Sequence, residues 1–546
     1  MFDYVIVGAG SAGCALAARL GEDPDVRVAV IEAGPPDDEP VIHMPLAFRQ
    51  LWFSRFEWGL WSEREPGLDD RRDLLPRGRV LGGSSSLNTM IYMRGNRLDY
   101  DGWAAGGCPE WGYEDLLPYF RRAEDNERGE GYYHGVDGPL SVSEGRSKHP
   151  LVAASIAAAV EAGIAPNDDH NGPVHEGAGW FQFTQRMGRR CSSADAYLHP
   201  AAERGNLDVL TDALATRVLF EAGRAVGVEV LRHNTLQAFR AEREVIVCAG
   251  AYHSPHLLLL SGIGPADELR ALGIEPRLDL PVGRNLHDHM MTVLAWLTDR
   301  PSLRTAMTPE NIALFEQEGR GPLTSGFAEG GAFIRTRPEL PAPDIQFHFT
   351  GGAVAREAAD PPVTQDGFSI LPTLLAPTSR GRVTLRSRIA HVKPLIQHNY
   401  LTTEDDQRSM IDGVRVALDI AARPALQQQR RADFAVPDSD SDADILAFLR
   451  RTGRTLYHPM GTCAMGPVVD AQLRVHGVDG LRVADASIIP VPIRGNCNAP
   501  VITVAEKAAD LIRGLPRLPR AAQTRTEAGL VAGAERAFER NTRCSP

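Results

Sequence analysis

The sequence of 546 residues contains no uninterrupted apolar stretch long enough to span a bilayer. Its seven cysteines are odd in number, widely scattered and never spaced as CxxC pairs, which argues against a disulfide scaffold and a zinc knuckle. Basic residues are fewer than acidic ones: the chain has 58 Lys and Arg against 70 Asp and Glu, which gives a net charge of −12. This acidic balance argues against nucleic acid as the main partner.

The chain has the composition of a globular protein, with 43% hydrophobic and 23% charged residues. Its length predicts two or three domains. The apolar N-terminus, Tyr4 to Ala18, is like a signal peptide, but Asp3 stands where a basic residue is expected and glycines interrupt the run. We therefore expect a cytoplasmic protein without a transmembrane anchor.

The first 34 residues have the pattern of a βαβ unit. Residues 4–7 form an apolar strand, 8–13 a glycine-rich turn, 14–20 a helix, and 26–31 a second strand that ends at Glu32.

This unit carries a GxGxxG motif. Gly8 permits the tight turn, Gly10 lets the backbone approach a pyrophosphate, and Gly13 allows close packing of helix and strand. The N–H groups at the helix N-terminus face the phosphates, and Glu32 can accept hydrogen bonds from ribose hydroxyls. The pattern predicts a dinucleotide site, and by itself it does not distinguish FAD from NAD.

Distant segments extend the same parallel sheet. Residues 245–249 form a strand, and the helix after it is predicted to start with Ser254 as N-cap and Pro255 in the first turn. Residues 481–484 form another strand, and a last helix covers about 501–512.

The stretch 292–452 is of a different kind. It contains strands at 344–349 and 382–385 and an amphipathic helix at 405–422, which indicate an α+β domain built on an antiparallel sheet. Residues 150–199 are predicted to join it.

Four longer motifs carry a resemblance to a known family. They are residues 78–88 (GRVLGGSSSLN), 250–264 (GAYHSPHLLLLSGIG), 282–289 (VGRNLHDH) and 457–466 (YHPMGTCAMG), the last with its sequels 485–487 (DAS) and 495–500 (GNCNAP). In this order the chain resembles the glucose–methanol–choline family of FAD-dependent oxidoreductases, nearest its choline-dehydrogenase-like branch, from about residue 2 to 513.

The resemblance implies FAD, oxidation of an alcohol, and an α/β fold. We expect a Rossmann-like FAD-binding domain made of residues 1–149, 200–291 and 453–514. It is interleaved with an α+β substrate-binding domain made of residues 150–199 and 292–452, which contains an antiparallel sheet. Residues 515–546 are predicted to form a mobile C-terminal tail.

Cofactor contacts are expected at the positions that match the family's motifs. They are Gly8, Gly10, Ser11, Ala12, Gly13, Glu32, Ala33, Arg79, Leu81, Gly82, Gly83, Ser84, Leu87, Asn88, Met90, Val218, Ala249, Gly250, Ser254, Tyr457, Asp485, Ala486, Asn496, Asn498, Pro500 and Val501.

Some of these positions have a more specific meaning. Leu87 stands where some members tether FAD through a His, so we expect non-covalent FAD. Asp485 and Ala486 resemble the positions that hold the ribityl chain and the flavin. Asn498 and Pro500 open the last helix, whose N-terminus would favour the negative charge of reduced flavin.

The implied chemistry needs a base. Flavin N5 accepts a hydride from the alcohol carbon once the hydroxyl proton can leave, and an imidazole has a suitable pKa. Among 16 His, His458 stands where the family places its catalytic base. Asn496 matches a second position, held by His or Asn in the family, that orients the substrate oxygen.

Two other patterns suggest metals, and we expect neither to bind one. In the run His287-Asp288-His289 the side chains splay apart, and no further ligand has a known spacing, so His289 is expected to shape the active site instead. The acidic run 438–444 lacks the Gly and Glu of a calcium loop.

The identity of the alcohol is less constrained. Choline-acting members usually carry a Glu two residues after the His that matches His289, and here that residue is Met291, which cannot neutralise a cation. Residues 43–61 are predicted to cover the flavin and the substrate, and they are rich in aromatic side chains: Phe48, Trp52, Phe53, Phe56, Trp58 and Trp61. These features favour an apolar or aromatic alcohol over choline or a sugar, although a structural lid would have the same composition.

The leading hypothesis is an alcohol dehydrogenase that passes electrons to a quinone or another electron carrier. An oxidase that uses O2 and a hydroxynitrile lyase, which binds FAD on this fold without a redox step, are the alternatives. The sequence leaves open the acceptor and whether the chain forms a homo-oligomer.

Overall fold

The computed structural model describes residues 1–354 and 363–521, and a seven-stranded sheet organises the first of its two sheet-based units. Its parallel core has the order Leu207–Leu210, Val28–Ile31, Phe2–Val7, Thr235–Val247 and Leu481–Val483. The inner strands are continuous apolar runs because helices and loops bury both faces. The predicted βαβ unit and its distant additions thus share one sheet.

An antiparallel meander widens this sheet. Ala213–Glu221 pairs with Arg224–Arg232, which pairs with the first half of Thr235–Val247. A bulge interrupts the pairing of the first two strands between Ala215 and Arg217. The regular alternation of side chains between the two faces of the sheet is therefore broken at this point.

Three helices flank the parallel core, and one of them starts earlier than expected. They are Ser11–Leu20, Gly250–Leu260 and Asn498–Arg513. The expectation that Ser254 caps the second helix is wrong, because its hydroxyl lies inside the first turn. There it accepts a hydrogen bond from the Ala249 N–H and donates one to Asp485.

The second sheet has eight strands, and all of its pairings are antiparallel. The strands are Gly177–Trp180, Met290–Met291, Leu294–Leu297, Ala328–Ile334, Ile345–Thr350, Gly367–Leu374, Ala432–Ala435 and Arg454–Thr455. The long helix Glu404–Ala422, capped by Thr403, packs on this sheet. The predicted fold class, an α/β fold with an antiparallel second unit, is confirmed.

One predicted strand lies elsewhere. Arg382–Thr384 pairs only with Leu395–Gln397 among the described residues, in a separate two-stranded ribbon. Val383 packs with Tyr252 and Leu286, on the side of the first sheet, because its apolar face complements the helix Gly250–Leu260. The predicted domain boundaries themselves stay predictions.

The remaining elements lie between and around the strands of the two sheets. The helices and helical turns are Pro40–His43, Pro45–Leu51, Pro66–Leu68, Gly83–Ser86, Arg97–Ala105, Tyr113–Ala123, Pro150–Glu161, Ala194–Leu198, His199–Ala202, Ala266–Ala271, Leu303–Thr305, Pro309–Glu318, Pro322–Thr324, Pro424–Gln427, Asp442–Thr452 and Ala486–Ile488. The short strands are Leu60–Trp61, Leu74–Leu75, Ile91–Tyr92, Glu124–Asn126, Leu140–Glu144, Gln182–Phe183, Gln185–Arg186 and Arg189–Arg190.

None of the helices in the described ranges combines the length and the apolar character needed to cross a bilayer. The expected cytoplasmic location stays a prediction. Most of the predicted tail, residues 522–546, lies outside the described residues.

A buried carboxylate on the last helix joins that helix to three other helical segments. Glu506 has a fully buried side chain on the last helix. It accepts hydrogen bonds from Arg19 at 2.9 Å, Arg122 at 2.7 Å and the Tyr197 hydroxyl at 2.8 Å. Losing the carboxylate charge would leave two guanidinium groups without their main partner.

We therefore expect Glu506→Gln to lower the free energy of unfolding by about 3–5 kcal/mol, measured as the urea midpoint at constant m-value. Glu22→Gln is the matched control, because Glu22 also pairs with Arg19 but its side chain is 34% exposed. It should cost less than about 1 kcal/mol. Equal effects of the two substitutions would contradict a structural role for Glu506.

Candidate active site

A deep cavity lies between the parallel core and the antiparallel sheet. Gly10, Ser11 and Glu32 line it at the carboxyl ends of the parallel strands, and His348 and His458 line it beside the antiparallel sheet. It therefore brings the predicted nucleotide fingerprint and the predicted base into one space.

The glycine turns leave no room for side chains. A Cβ at Gly13 would lie 1.8 Å from the Gly8 carbonyl oxygen, and a Cβ at Gly83 would lie 2.7 Å from the Gly10 Cα. Gly8 has a φ of +99°, which other residues rarely adopt. The two loops can approach this closely only as glycine. The N–H groups of Gly8 and Gly83 already donate to the carbonyls of Ile31 and Val80, so the N–H groups offered to a pyrophosphate are those of the first turn of the helix Ser11–Leu20.

Glu32 is buried at the tip of its strand, where burial raises the pKa of its carboxyl group to about 7. Its oxygens accept hydrogen bonds from the N–H groups of Ala9, at 2.9 Å, and Gly34, at 2.8 Å. These bonds fix the carboxylate against the glycine turn, and each oxygen keeps a lone pair for a ribose hydroxyl.

Two helix N-termini open onto the same cavity. The Ser11 hydroxyl donates to Asn498 Oδ1 at 2.8 Å and so joins the first residues of two helices. Asp485 accepts hydrogen bonds from the N–H groups of Gly250 and Ser487, both at 2.8 Å. The amide-rich, electropositive helix ends fit a bound dinucleotide.

Most of the predicted cofactor positions line the cavity. These are Gly8, Gly10, Ser11, Ala12, Glu32, Ala33, Gly83, Ser84, Leu87, Asn88, Met90, Ala249, Gly250, Tyr457, Asp485, Ala486, Asn496, Asn498 and Val501. The positions that do not are Gly13, Arg79, Leu81, Gly82, Val218, Ser254 and Pro500. Two of these residues still shape the cavity wall indirectly. Gly13 packs against Gly8 in the glycine turn, and Ser254 donates a hydrogen bond to Asp485.

Val218 is the clear correction. Its N–H donates to Ser261 Oγ at 2.9 Å, outside the cavity. Residues 213–215 of the same strand line the cavity instead. The bulge after Ala215 separates these two parts of the strand, and the sequence gives no sign of it.

Leu87 is 6% exposed and packs with Val80, Leu51 and Phe56. An alkyl side chain offers no nucleophile to the flavin, so non-covalent FAD stays our prediction.

His458 and Asn496, the two predicted catalytic residues, meet in the cavity. Asn496 Nδ2 lies 3.4 Å from His458 Nε2. Gln346 Nε2 donates to Asn496 Oδ1 at 3.2 Å, which turns the Asn496 amide N–H groups towards the imidazole. An alcohol oxygen between the two could therefore give a proton to Nε2 and accept a hydrogen bond from Nδ2.

The other side of the His458 ring is held by His289, whose Nδ1 lies 2.9 Å from His458 Nδ1. One of these two nitrogens must carry the hydrogen. If it is His458 Nδ1, then Nε2 is left as the proton acceptor facing the cavity. His289 thus acts on the tautomer of the base.

Asp288 places the backbone of the base. Its carboxylate accepts a hydrogen bond from the His458 N–H at 2.8 Å and from the hydroxyls of Tyr400 and Thr455, both at 2.5 Å. Tyr457, between these segments, has a φ of +70°, and this turn directs His458 into the cavity. Sequence reasoning placed Asp288 in a motif but not in this role.

The three side chains of the run 287–289 make different contacts. His287 Nδ1 lies 2.9 Å from the Asn285 carbonyl oxygen, Asp288 binds the backbone of His458, and His289 contacts the His458 ring. The ligand atoms of His289, His458 and Cys497 lie within 4.8 Å of one another, although the first two are already at hydrogen-bond distance. The absence of a metal stays a prediction.

A third histidine, His348, was missed. Burial lowers the pKa of His348 to about 3 and that of His289 to about 4. Burial and these two facing imidazoles hold the pKa of His458 well below its usual value. All three rings are therefore neutral at pH 7, which leaves His458 able to accept a proton.

One pattern in the sequence indicates that His348 and Gln346 lie on the same face of a strand. The predicted strand has polar residues at two alternate positions, which place both side chains on the same face. In the structure that face of Ile345–Thr350 is turned to the cavity.

Part of the aromatic segment lines the cavity, and its predicted role as a cover over the flavin and the substrate stays a prediction. Phe48, Trp52 and Trp58 line it, whereas Phe56 packs into a separate apolar cluster. Phe53 is 62% exposed and Trp61 is 37% exposed.

Comparisons with known proteins agree with this geometry. Family models described as GMC oxidoreductase match residues 2–291 and 377–505. Human mitochondrial choline dehydrogenase is 44% identical over 541 residues, which cover 95% of this chain and 90% of the relative. A Pseudomonas putida alcohol dehydrogenase (acceptor) is 41% identical over 528 residues, which cover 94% and 96%. The crystal structure of pyridoxine 4-oxidase from Mesorbium loti is similar with a TM-score of 0.87 and 33% identity, and covers 94% of this chain and all of that one.

The chain belongs to the GMC oxidoreductase family. It is an FAD-dependent oxidoreductase that acts on alcohols, and the glycine turns, Glu32 and the two helix N-termini fit this cofactor. The resemblance, the enzyme class and the cofactor predicted from the sequence are thereby confirmed.

If Glu32 binds the ribose, Glu32→Ala should weaken FAD binding about tenfold or more, because a hydrogen bond to a charged group contributes about 1.5–3 kcal/mol. The measurement is FAD affinity by titration of the apoprotein with flavin absorbance. Asp208→Ala is the control, since Asp208 lies on the adjacent strand with a half-exposed side chain. A Glu32→Ala protein that binds FAD with unchanged affinity would remove Glu32 from this role.

Proposed function

We propose that this enzyme oxidises an apolar or aromatic alcohol to the aldehyde or ketone, with His458 as the base and Asn496 as its partner, and passes the electrons to a quinone or another carrier. The observation that carries the proposal is the approach of Asn496 Nδ2 to His458 Nε2 at the cavity wall. FAD, when bound, supplies a hydride acceptor at N5.

The protein's part is to hold the alcohol oxygen and remove its proton. Asn496 donates a hydrogen bond to that oxygen, and Gln346 keeps the amide from rotating. The proton moves to His458 Nε2, while His289 holds the opposite nitrogen. Because the three imidazoles are neutral before the reaction, no other positive charge among them opposes this transfer.

The substrate end of the cavity is largely apolar. It is lined by Phe48, Trp52, Met291, Phe327, Leu371 and Leu456. Met291 offers no charge to a quaternary ammonium. Its strand partner Arg454, and Arg49 close to Arg454, bring two guanidinium groups to the same part of the cavity wall. This balance disfavours choline, although a choline dehydrogenase is among the relatives.

For the acceptor, the relative named alcohol dehydrogenase (acceptor) supports a carrier other than oxygen. The similar structure of a pyridoxine 4-oxidase favours the second candidate, an oxidase that reduces O2.

The proposal is tested by adding alcohols to the holoenzyme without oxygen while recording the visible spectrum. Benzylic and long aliphatic alcohols should bleach the oxidised flavin band, and choline should not. Admitting air then separates an oxidase, whose colour returns at once, from a dehydrogenase. A flavin that choline bleaches fastest would contradict the proposed substrate class.

His458→Ala should retain FAD and lose about 10²–10⁴-fold of the bleaching rate. His476→Ala is the control, because that imidazole lies outside the cavity near the Gly466 carbonyl. Near-normal bleaching by His458→Ala would remove it from the role of base.

The pH dependence follows from the lowered pKa of His458. A base with a lowered pKa takes up its blocking proton only at a lower pH, so flavin reduction should persist as the pH falls through 6.5 and decline only well below it. Replacing His348 with Asn removes one facing imidazole and should move this decline to higher pH. Stopped-flow rates between pH 4 and 9 measure both; a native decline centred above 6.5 would contradict the assignment.

A further inference from the structure

Two arginines line the substrate end of the cavity without a partner. Arg454 is 4% exposed, and its Nε is buried without a hydrogen bond. Arg49 is half-buried and only stacks on Trp52, with its Cζ 5.2 Å from the ring centroid. Across residues 1–354 and 363–521, neither guanidinium meets a carboxylate or a carbonyl oxygen within hydrogen-bond distance.

Other buried guanidinium groups in the described ranges have hydrogen-bond acceptors, and Arg190, which has no carboxylate partner, donates to the carbonyl oxygens of Ile42 and Ser85. Arg94 is fully buried and pairs with Glu124 at 2.5 Å. Arg494 pairs with the buried carboxylate of Asp99. A buried charge without a partner is costly, so a site that keeps one is expected to receive the opposite charge from a ligand.

The charges around Arg454 do not supply that partner. Asp73 is the carboxylate that faces it: burial raises the pKa of Asp73 to about 6, and the charge of Arg454 acts against this rise. Asp73 accepts a hydrogen bond from the Thr455 N–H at 2.7 Å, and within the described chain it does not come within ion-pair distance of Arg454. Burial, and in addition the positive charge of Arg454, lowers the pKa of Arg49. The two cations are therefore close enough to repel each other, and an anion between them would relieve the repulsion.

Their position is on the substrate side. Arg454 lies on a strand that pairs with Met291, four residues before His458. Arg49 reaches the same region through Trp52, whose ring centroid lies 5.6 Å from that of Tyr457. Neither arginine belongs to the glycine turns that face the pyrophosphate.

A third arginine on this wall is already occupied. Arg77 donates to the Tyr457 carbonyl at 2.7 Å and to its neighbour Pro76. Arg77 therefore holds the backbone beside the base, and the two unpartnered groups remain for a ligand.

We propose that Arg49 and Arg454 form an anion subsite, and that the preferred substrate is an alcohol whose apolar or aromatic body carries a carboxylate at the end remote from the hydroxyl. This rests on the proposed function. Guanidinium forks match a planar carboxylate, and Phe48, Trp52 and Leu456 would cover the apolar body between the two ends. The carboxylate is unchanged by the reaction, in which the alcohol loses its hydroxyl proton to His458 and a hydride to FAD.

The test compares three alcohols of one shape on the holoenzyme: benzyl alcohol, 4-(hydroxymethyl)benzoate and 4-(hydroxymethyl)benzyltrimethylammonium. The rate constant for anaerobic flavin reduction at low substrate should be at least tenfold higher for the benzoate than for benzyl alcohol, and lowest for the cation. Arg454→Met and Arg49→Met should each remove most of this advantage, measured as the ratio of the benzoate rate to the benzyl alcohol rate in the same variant. Arg217→Met, a surface substitution outside the cavity, is the control.

A binding measurement separates the subsite from the chemistry. 4-Methylbenzoate cannot be oxidised at a hydroxyl, and its binding is read from the perturbed flavin spectrum, with 4-methylbenzamide as the neutral match. Native enzyme should bind the anion at least tenfold more tightly than the amide, and Arg454→Met should bind both alike. Arg49→Met serves for the same comparison if Arg454→Met does not fold.

The outcomes are distinct. Equal binding of anion and amide by the native enzyme, or equal rates for benzoate and benzyl alcohol, would overturn the subsite and leave the proposed function standing. If no alcohol bleaches the flavin but 4-methylbenzoate binds in an Arg454-dependent way, the proposed function fails and the anion subsite stands.

Discussion

The buried carboxylate of Asp288 is the interaction on which the reacting end of the molecule depends. It is 3% exposed and holds three segments that are far apart in the chain: its own loop, the segment of Tyr400, and the segment from Thr455 to His458. A carboxylate is stable at such a depth only when its lone pairs are occupied. Here the donors that occupy them include the backbone N–H of the proposed base, so the position of the base and the stability of the buried charge cannot be changed independently.

The cavity is graded in charge along its length. Helix N-termini make the dinucleotide end electropositive, with Glu32 as the buried acid on its wall. The middle is neutral, because burial keeps the three imidazoles uncharged. The substrate end is cationic through Arg49 and Arg454. In the proposed mechanism, a proton released in this neutral middle is accepted by His458.

How far the sequence predicts this arrangement depends on the range of the interactions. The βαβ unit, Glu32, His458 and Asn496 lie in motifs whose geometry is local or whose order matches a known family. Val218 was predicted to line the cavity, but a bulge earlier in its strand breaks the alternation of side chains between the two faces, and no pattern in the sequence indicates this bulge. Gln346 meets Asn496 across 150 residues of chain, so only the folded sheet brings the two together. The segment Arg382–Thr384 has the composition of a strand, but its composition does not say which sheet it joins. Its position is set by the packing of its apolar face against the helix Gly250–Leu260.

Overall sequence identity to a relative is a poor guide to which alcohol the enzyme oxidises. A relative with 44% identity acts, by its name, on choline, a cation. Discrimination between a cationic and an anionic alcohol needs only a few charges at the far end of the cavity, because an unpaired buried charge penalises every ligand that fails to neutralise it. Here the apolar thioether of Met291 provides no negative charge, and Arg49 and Arg454 provide two positive ones. If the proposed anion subsite makes this selection, the rest of the cavity can remain that of the family, because the proposed chemistry at His458 is the same for either substrate.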